Sequence, residues 1–207
     1  MKIMGIDLAG KVDNPTGICI LNADESIGYE INMGTLYTDE EILRAIDRVQ
    51  PSLIVIDAPL SLPKGRCCLE KECKCAVGGH FRQSEREIRR YGSVLPLTFT
   101  GMKMLTLRGV GLASALSGKF QLKETHPRTS GKILNWENLE KDIETHFHLP
   151  PDPTEHELDA AIAALTGFFY INDCFLELGD KDEGTIILPK GKDCLEKLEK
   201  LKKTEEV

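Results

Sequence analysis

The sequence predicts a single α/β domain, built as a mixed central sheet with helices on both faces. Three observations carry this. Residues 2–36 read as three successive strands, residues 39–49 as an amphipathic helix, and residues 53–58 (LIVIDA) as a short, continuously apolar run. A run of that length and composition is what a strand buried on both faces requires. Three strands, a helix and a buried strand return the chain to the first strand, so the first and fourth strands are expected side by side.

The elements follow in order. Residues 2–8 form an apolar strand that contains Asp7, and residues 10–15 turn the chain. Residues 16–21 (TGICIL) are β-branched and apolar, a second strand. Residues 22–26 turn again, and residues 27–36 complete a meander. Thr38 is the expected N-cap of the first helix, with Glu41 three residues on; Ile42, Leu43, Ile46 and Val49 fall on one stripe. Pro51 ends that helix. Residues 59–63 break the pattern, and residues 66–79 are irregular and rich in Cys and Gly. Helices are expected at 83–91 and 101–116, the second weakened by Gly109 and Gly111. Residues 120–125 read as a strand cut by Pro127, and residues 135–147 as a polar helix. Pro150, Pro151 and Pro153 form a linker. Thr154 then caps a long helix over 155–170, with Glu157 at the capping-box position. A last short strand is expected at 185–188. The domain is placed at 1–190, with an insertion at 64–100 and a charged, helical, solvated tail at 191–207.

The bulk properties bound the function. A chain of 207 residues with 41% hydrophobic content can bury a core without staples. No apolar run approaches the roughly 20 residues of a membrane span, and Asp7 interrupts the N-terminal apolar stretch, so neither a membrane anchor nor a signal peptide is expected. Seven cysteines without a secretory signal point to reduced thiols in a cytoplasmic protein. The net charge of -7 argues against a general nucleic-acid-binding surface. It is unevenly spread, however: residues 64–108 carry ten Lys and Arg against four Glu, leaving the rest strongly acidic. That basic segment is either a solvated face or a patch for phosphate, with Arg82, Arg86, Arg89 and Arg90 as its candidate contacts.

Four acids occupy positions where acids are expensive. Asp7 and Asp57 end apolar strands, Glu124 lies near the end of another, and Asp159 sits on an apolar helix ahead of AAIAAL. Two carboxylates about 4 Å apart repel by about 4 kcal/mol at an effective dielectric of 20. Separate pairing with Lys or Arg would relieve each of them. For the set, a hard divalent cation such as Mg²⁺ or Mn²⁺ is the better partner. A second candidate metal site is Cys68, Cys73, Cys75 and His80, which could hold Zn²⁺; a disulfide or redox role, or plain loop cysteines, are the alternatives. Adjacent Cys67 and Cys68 argue against both serving one ion.

The segments GIDLAG, TGICIL, VIDAPLSLP, Arg108-Gly109, ETHP and HELDAAIAAL resemble a widespread family of unknown function, domain-of-unknown-function family 429. Its members are described as predicted nucleases with the ribonuclease-H-like fold. The resemblance covers roughly residues 1–190, and its final H-x-x-D-A motif is similar to the last motif of Holliday-junction resolvases of that fold. It implies a divalent-metal-dependent nuclease or phosphodiesterase acting on DNA or RNA by a two-metal mechanism. Asp7 would bridge the metals, Asp57 and Asp159 would hold one each, and Glu124 or His156 would orient water or carry a proton. Arg89, Arg90 and Arg108 would contact phosphates, and a homodimer is possible. The chain departs from the family in having Ser84-Glu85 where Cys-Asp is typical, and in its segment 67–75. Two alternatives stand beside this reading: a nucleotide-binding phosphotransferase of the related actin and sugar-kinase fold, suggested by GIDLAG with Thr16-Gly17, and a non-catalytic binding module.

Overall fold

A computed structural model describes residues 1–24, 28–75 and 78–198. Strands β1 (Lys2–Asp7), β2 (Thr16–Asp24) and β3 (Gly28–Leu36) form an antiparallel meander. Helix α1 (Asp39–Val49) crosses to β4 (Leu53–Asp57), which pairs in parallel with β1. After the insertion with α2 (Gln83–Ile88) come α3 (Thr100–Leu116), β5 (Leu122–Glu124), α4 (Pro127–Leu134), α5 (Leu139–Glu144) and α6 (Glu155–Ile171). A final hairpin, β6 (Phe175–Asp180) and β7 (Gly184–Pro189), adds to the far edge, and a 3-10 helix covers Lys192–Leu195. The seven-stranded sheet runs β3-β2-β1-β4-β5-β7-β6. This is a ribonuclease-H-like mixed sheet covered on both faces.

Strand parity sorts the core. Ile3 of β1 and Leu53 and Val55 of β4 pack against α6, while Met4, Ile6, Ile54 and Ile56 pack on the opposite face with Ile42 and Ile46 of α1 and Leu112 and Leu116 of α3. Alternation then places Asp7 and Asp57 on the α6 face. Two glycines let α6 lie against the sheet. A Cβ on Gly5 would sit 2.0 Å from the Ala160 carbonyl oxygen, and one on Gly17 would sit 1.9 Å from that of His156. The Ala-rich stretch of α6 meets these glycines backbone to sheet, and its N-terminal turn is thereby held over the ends of β1 and β2.

Both expected capping boxes form: Thr38 with Glu41 on α1, and Thr154 with Glu157 on α6. Several expectations need correction. The helix expected over 135–147 is only the short α5, Leu139–Glu144, and an unexpected helix, α4, precedes it, because Pro127 occupies the first turn of α4 instead of breaking the chain, and Asn135 ends it in a left-handed cap. A missing N–H costs nothing in a first helical turn. Strand β6 was not expected, and β5 has only three residues. The described part of the tail is only partly solvated: Lys192, Asp193, Glu196 and Lys197 are exposed, while Cys194 and Leu198 are buried in the α6-side core. Residues 25–27, 76–77 and 199–207, and with them part of the expected turn at 22–26, the start of the third strand and the tail helix, lie outside the described residues.

Reduced thiols throughout were expected, yet Cys174 and Cys194 form a disulfide with a Cα–Cα distance of 5.6 Å. The hairpin is the reason. β7 runs back along β6 with Phe175 opposite Pro189, so the chain leaving β7 arrives beside Cys174, and Lys190 N–H donates to the Cys174 carbonyl at 3.2 Å.

Candidate active site

Asp7 and Asp57 are direct register partners at the carboxyl ends of the adjacent parallel strands β1 and β4. Asp159, one turn into α6, joins them in a cleft of about 450 Å³. His156, one turn before Asp159, places Nδ1 2.6 Å from Asp7 Oδ2; the His156 side chain is 48% exposed and that of Asp7 14%. The cleft is also lined by Glu85, Glu124, Thr125, His126, Arg128 and Glu155, with Val94 and Leu95 of the insertion on its apolar side.

The electrostatics follow from crowding acids in a poorly solvated place. Burial is the largest cause of the raised Asp57 carboxyl, followed by the charges of Asp7, Asp159 and Glu124, and Arg128 opposes them. Burial also raises Asp7, against the hydrogen bond and charge of His156. Asp159 is pushed up to about 6, by burial first and by Asp7 next. The cation facing this trio is Arg128, whose side chain is 74% exposed and which reaches Glu155 at 3.5 Å. It is too well solvated to offset three carboxylates.

These shifts predict a pH effect on the metal-free protein. The folded state holds the Asp159 proton to about pH 6, whereas an unfolded Asp releases it near about 4. Between those values the folded state binds more protons, so stability falls as pH rises through that window, by up to about 3 kcal/mol. Asp159→Asn should flatten the decline. Melting temperatures from pH 4 to 7 in chelator check it; parallel curves for the two proteins would contradict it.

Glu124 does not face the other acids directly. In the β4–β5 register it lies opposite Ile56, not Asp57, yet it lines the cleft and its charge helps to raise Asp57. There Arg82 Nη1 donates to Glu124 Oε2 at 2.8 Å, Nη2 donates to Oε1, and the Leu60 N–H adds a bond at 3.0 Å. The same guanidinium donates to Glu85 through Nε and Nη2, and Nη1 reaches Ser61 Oγ at 2.8 Å. Arg82, expected to meet a polyanion, is instead fully buried between two carboxylates. Its partner Glu124 is 42 residues away, so local sequence carried no sign of the pair.

Arg108 is likewise spent internally. It donates to Asp39 Oδ1 at 2.7 Å and to the carbonyls of Ala9, Lys11 and Tyr37, tying the β1–β2 turn and the start of α1 to α3. Arg86, Arg89 and Arg90 are exposed, and Arg89 stacks 4.0 Å over the Phe81 ring. His80 Nδ1 is 2.8 Å from Thr98 Oγ1 and is not in the cysteine cluster, whose fourth member is Cys67. Sequence reasoning missed Arg128, His126 and Glu155; the first two directly flank Pro127, inside and just after the ETHP motif.

No family model matches the chain, and no curated protein matches it. Among solved structures it is similar to RuvC of T. thermophilus in complex with Holliday junction substrate, at 14% identity and a TM-score of 0.48, over 84% of this chain and 96% of that one. The resemblance to the predicted-nuclease family therefore has no support from a family model. No described helix is long and apolar enough to cross a membrane.

Proposed function

We propose that this chain is a divalent-metal-dependent phosphodiester hydrolase that acts on nucleic acid at the cleft between the β1–β4 strand ends and α6. The observation that carries the reading is the juxtaposition of Asp7 and Asp57 as register partners, with Asp159 in the same cleft and His156 and solvated Arg128 beside them. The donor set fits a hard cation: three carboxylates, each raised by burial, with Asp57 and Asp159 raised further by Asp7, and no thiolate in the lining. Asp7, Asp57 and Asp159 would hold Mg²⁺ or Mn²⁺, which when bound supplies an activated water and charge stabilisation at the phosphate.

The chain's own groups do the remainder. His156 is fixed by Asp7 through Nδ1, which leaves Nε2 to take or give a proton at the cleft mouth. Arg128 reaches the cleft from α4 and is exposed enough to pair a phosphate oxygen. Glu124 acts by holding Arg82 and the β4–α2 connection in place, so it is a positioning residue. The phosphotransferase alternative needs free N–H groups in the β1–β2 turn, where the Ala9 N–H donates to Thr16 Oγ1 and the Asn14 N–H to the Lys11 carbonyl.

The test is cleavage of labelled single-stranded, duplex and branched DNA and of RNA, with Mg²⁺, Mn²⁺ or chelator. Cleavage of at least one of these with metal, and none in chelator, is expected. Activity untouched by chelator, or absent with every substrate while Mn²⁺ still binds, would remove the hydrolase reading.

A further inference from the structure

The cysteine loop lies apart from the acidic cleft. Four sulfurs, those of Cys67, Cys68, Cys73 and Cys75, all lie within 4.8 Å of one another. Cys75 Sγ is 3.2 Å from Cys73 Sγ and 3.5 Å from Cys68 Sγ, and none of the four is in a disulfide. Sulfurs about 2.3 Å from a tetrahedral zinc stand about 3.8 Å apart, whereas a disulfide brings them to about 2.05 Å. Packing does not account for the cluster: Cys67 is exposed and the others are half-buried, so these thiols are not filling a core.

We infer that Cys67, Cys68, Cys73 and Cys75 hold one zinc ion as a closed, four-thiolate structural site. Thiolates select zinc over the hard cations suited to the cleft, and four protein ligands leave no open position for chemistry. The surroundings are built to keep the loop in shape. Buried Arg66 donates to the carbonyls of Cys68 at 3.3 Å and Glu70 at 3.1 Å, and also to that of Gly79. Lys103 of α3 pairs with Glu70 from outside. Four thiolates and one zinc carry a net charge of about −2, and Arg66, Lys71 and Lys74 supply positive charge beside them. His80 is replaced in the ligand set by Cys67. The ion would clip the loop leading from Lys64, whose N–H is held by Glu183, to buried Arg82.

Metal analysis of protein purified without chelator should find about one zinc per chain. The zinc should persist in His80→Ala and in Asp57→Asn, and be lost in the double variant Cys73→Ser, Cys75→Ser. Cobalt exchanged into the wild-type protein should show the ligand-field and charge-transfer bands of a tetrahedral thiolate site. That reading holds even if the double variant fails to fold. Stripping the metal should open Lys71 and Lys74 to trypsin while the sheet remains intact. Zinc absent with the four cysteines recovered as disulfides, zinc retained in the double variant, or zinc lost in His80→Ala would overturn the assignment. None of these outcomes depends on cleavage by the acidic cleft.

Discussion

Replacing Asp57 by Asn is expected to cut metal-dependent cleavage by about a thousandfold and to abolish stabilisation by Mn²⁺. The side chain sits at the last residue of β4, whose backbone is paired on both sides, with β1 and β5, so an isosteric amide leaves the strand in place. What it removes is the charge that Asp7 and Asp159 oppose in the free protein and that a cation would use. Metal ions stabilise phosphoryl-transfer charge by several kcal/mol, and a loss of about 4 kcal/mol is about a thousandfold in rate. In the wild type, metal at a hundred times its dissociation constant should add about 2.7 kcal/mol to stability. In the variant that increment should vanish. The metal-free variant should melt no lower than the wild type, because one member of a repelling set is gone. Paired melting curves and single-turnover rates check this. An equal Mn²⁺ shift in both proteins would show that Asp57 is not a ligand, and the hydrolase reading would lose its basis.

The site was legible to the extent that its residues announce themselves through strand parity. Asp7 follows Ile3 and Gly5 on one face of β1, and Asp57 follows Leu53 and Val55 on the same face of β4, so two apolar strands ending in acids could be aligned from the sequence. Thr154 and Glu157 announced α6, and one helical turn links Asp159 to His156. Glu124 lines the cleft, but a strand of three residues shows no alternation, so neither its register with Ile56 nor its bond to Arg82 could be read from the sequence. The role of Arg82 was hidden for another reason. Composition makes 64–108 look like one basic patch, but burial is decided by partners far along the chain. Arg82 meets Glu124 and Arg108 meets Asp39, across separations of 42 and 69 residues. The Cys174–Cys194 bridge depended on an unexpected hairpin. The crowding of Cys67 with Cys68 depends on loop geometry that spacing does not encode.

The second large effect concerns that buried pair. Arg82→Met should destabilise the fold by about 3–5 kcal/mol, because it strands two carboxylates without their cation. Glu85 and Glu124 are 4% exposed each, and Arg82 is fully buried. Burial pushes the Glu124 carboxyl up, while the charge and hydrogen bonds of Arg82 pull it back. Without the guanidinium that restraint is lost, and Glu124 must either stay charged in a dry place or keep its proton. For a domain whose total stability is about 5–15 kcal/mol, the loss is a large fraction, worth about 6–20 °C in melting temperature at about 2–4 °C per kcal/mol. Adding Glu85→Gln and Glu124→Gln to Arg82→Met should recover much of it, since neutral amides can bond to the Leu60 N–H and Ser61 without a buried net charge. Lower pH should narrow the gap between the single variant and the wild type, because the stranded acids in the variant take up protons as the protein folds. Urea unfolding of the wild-type, single and triple variants at pH 5 and pH 8 measures all three effects. A loss below about 1 kcal/mol in the single variant, the size expected of an exposed pair, would mean that Arg82 is solvated and free to meet phosphate after all.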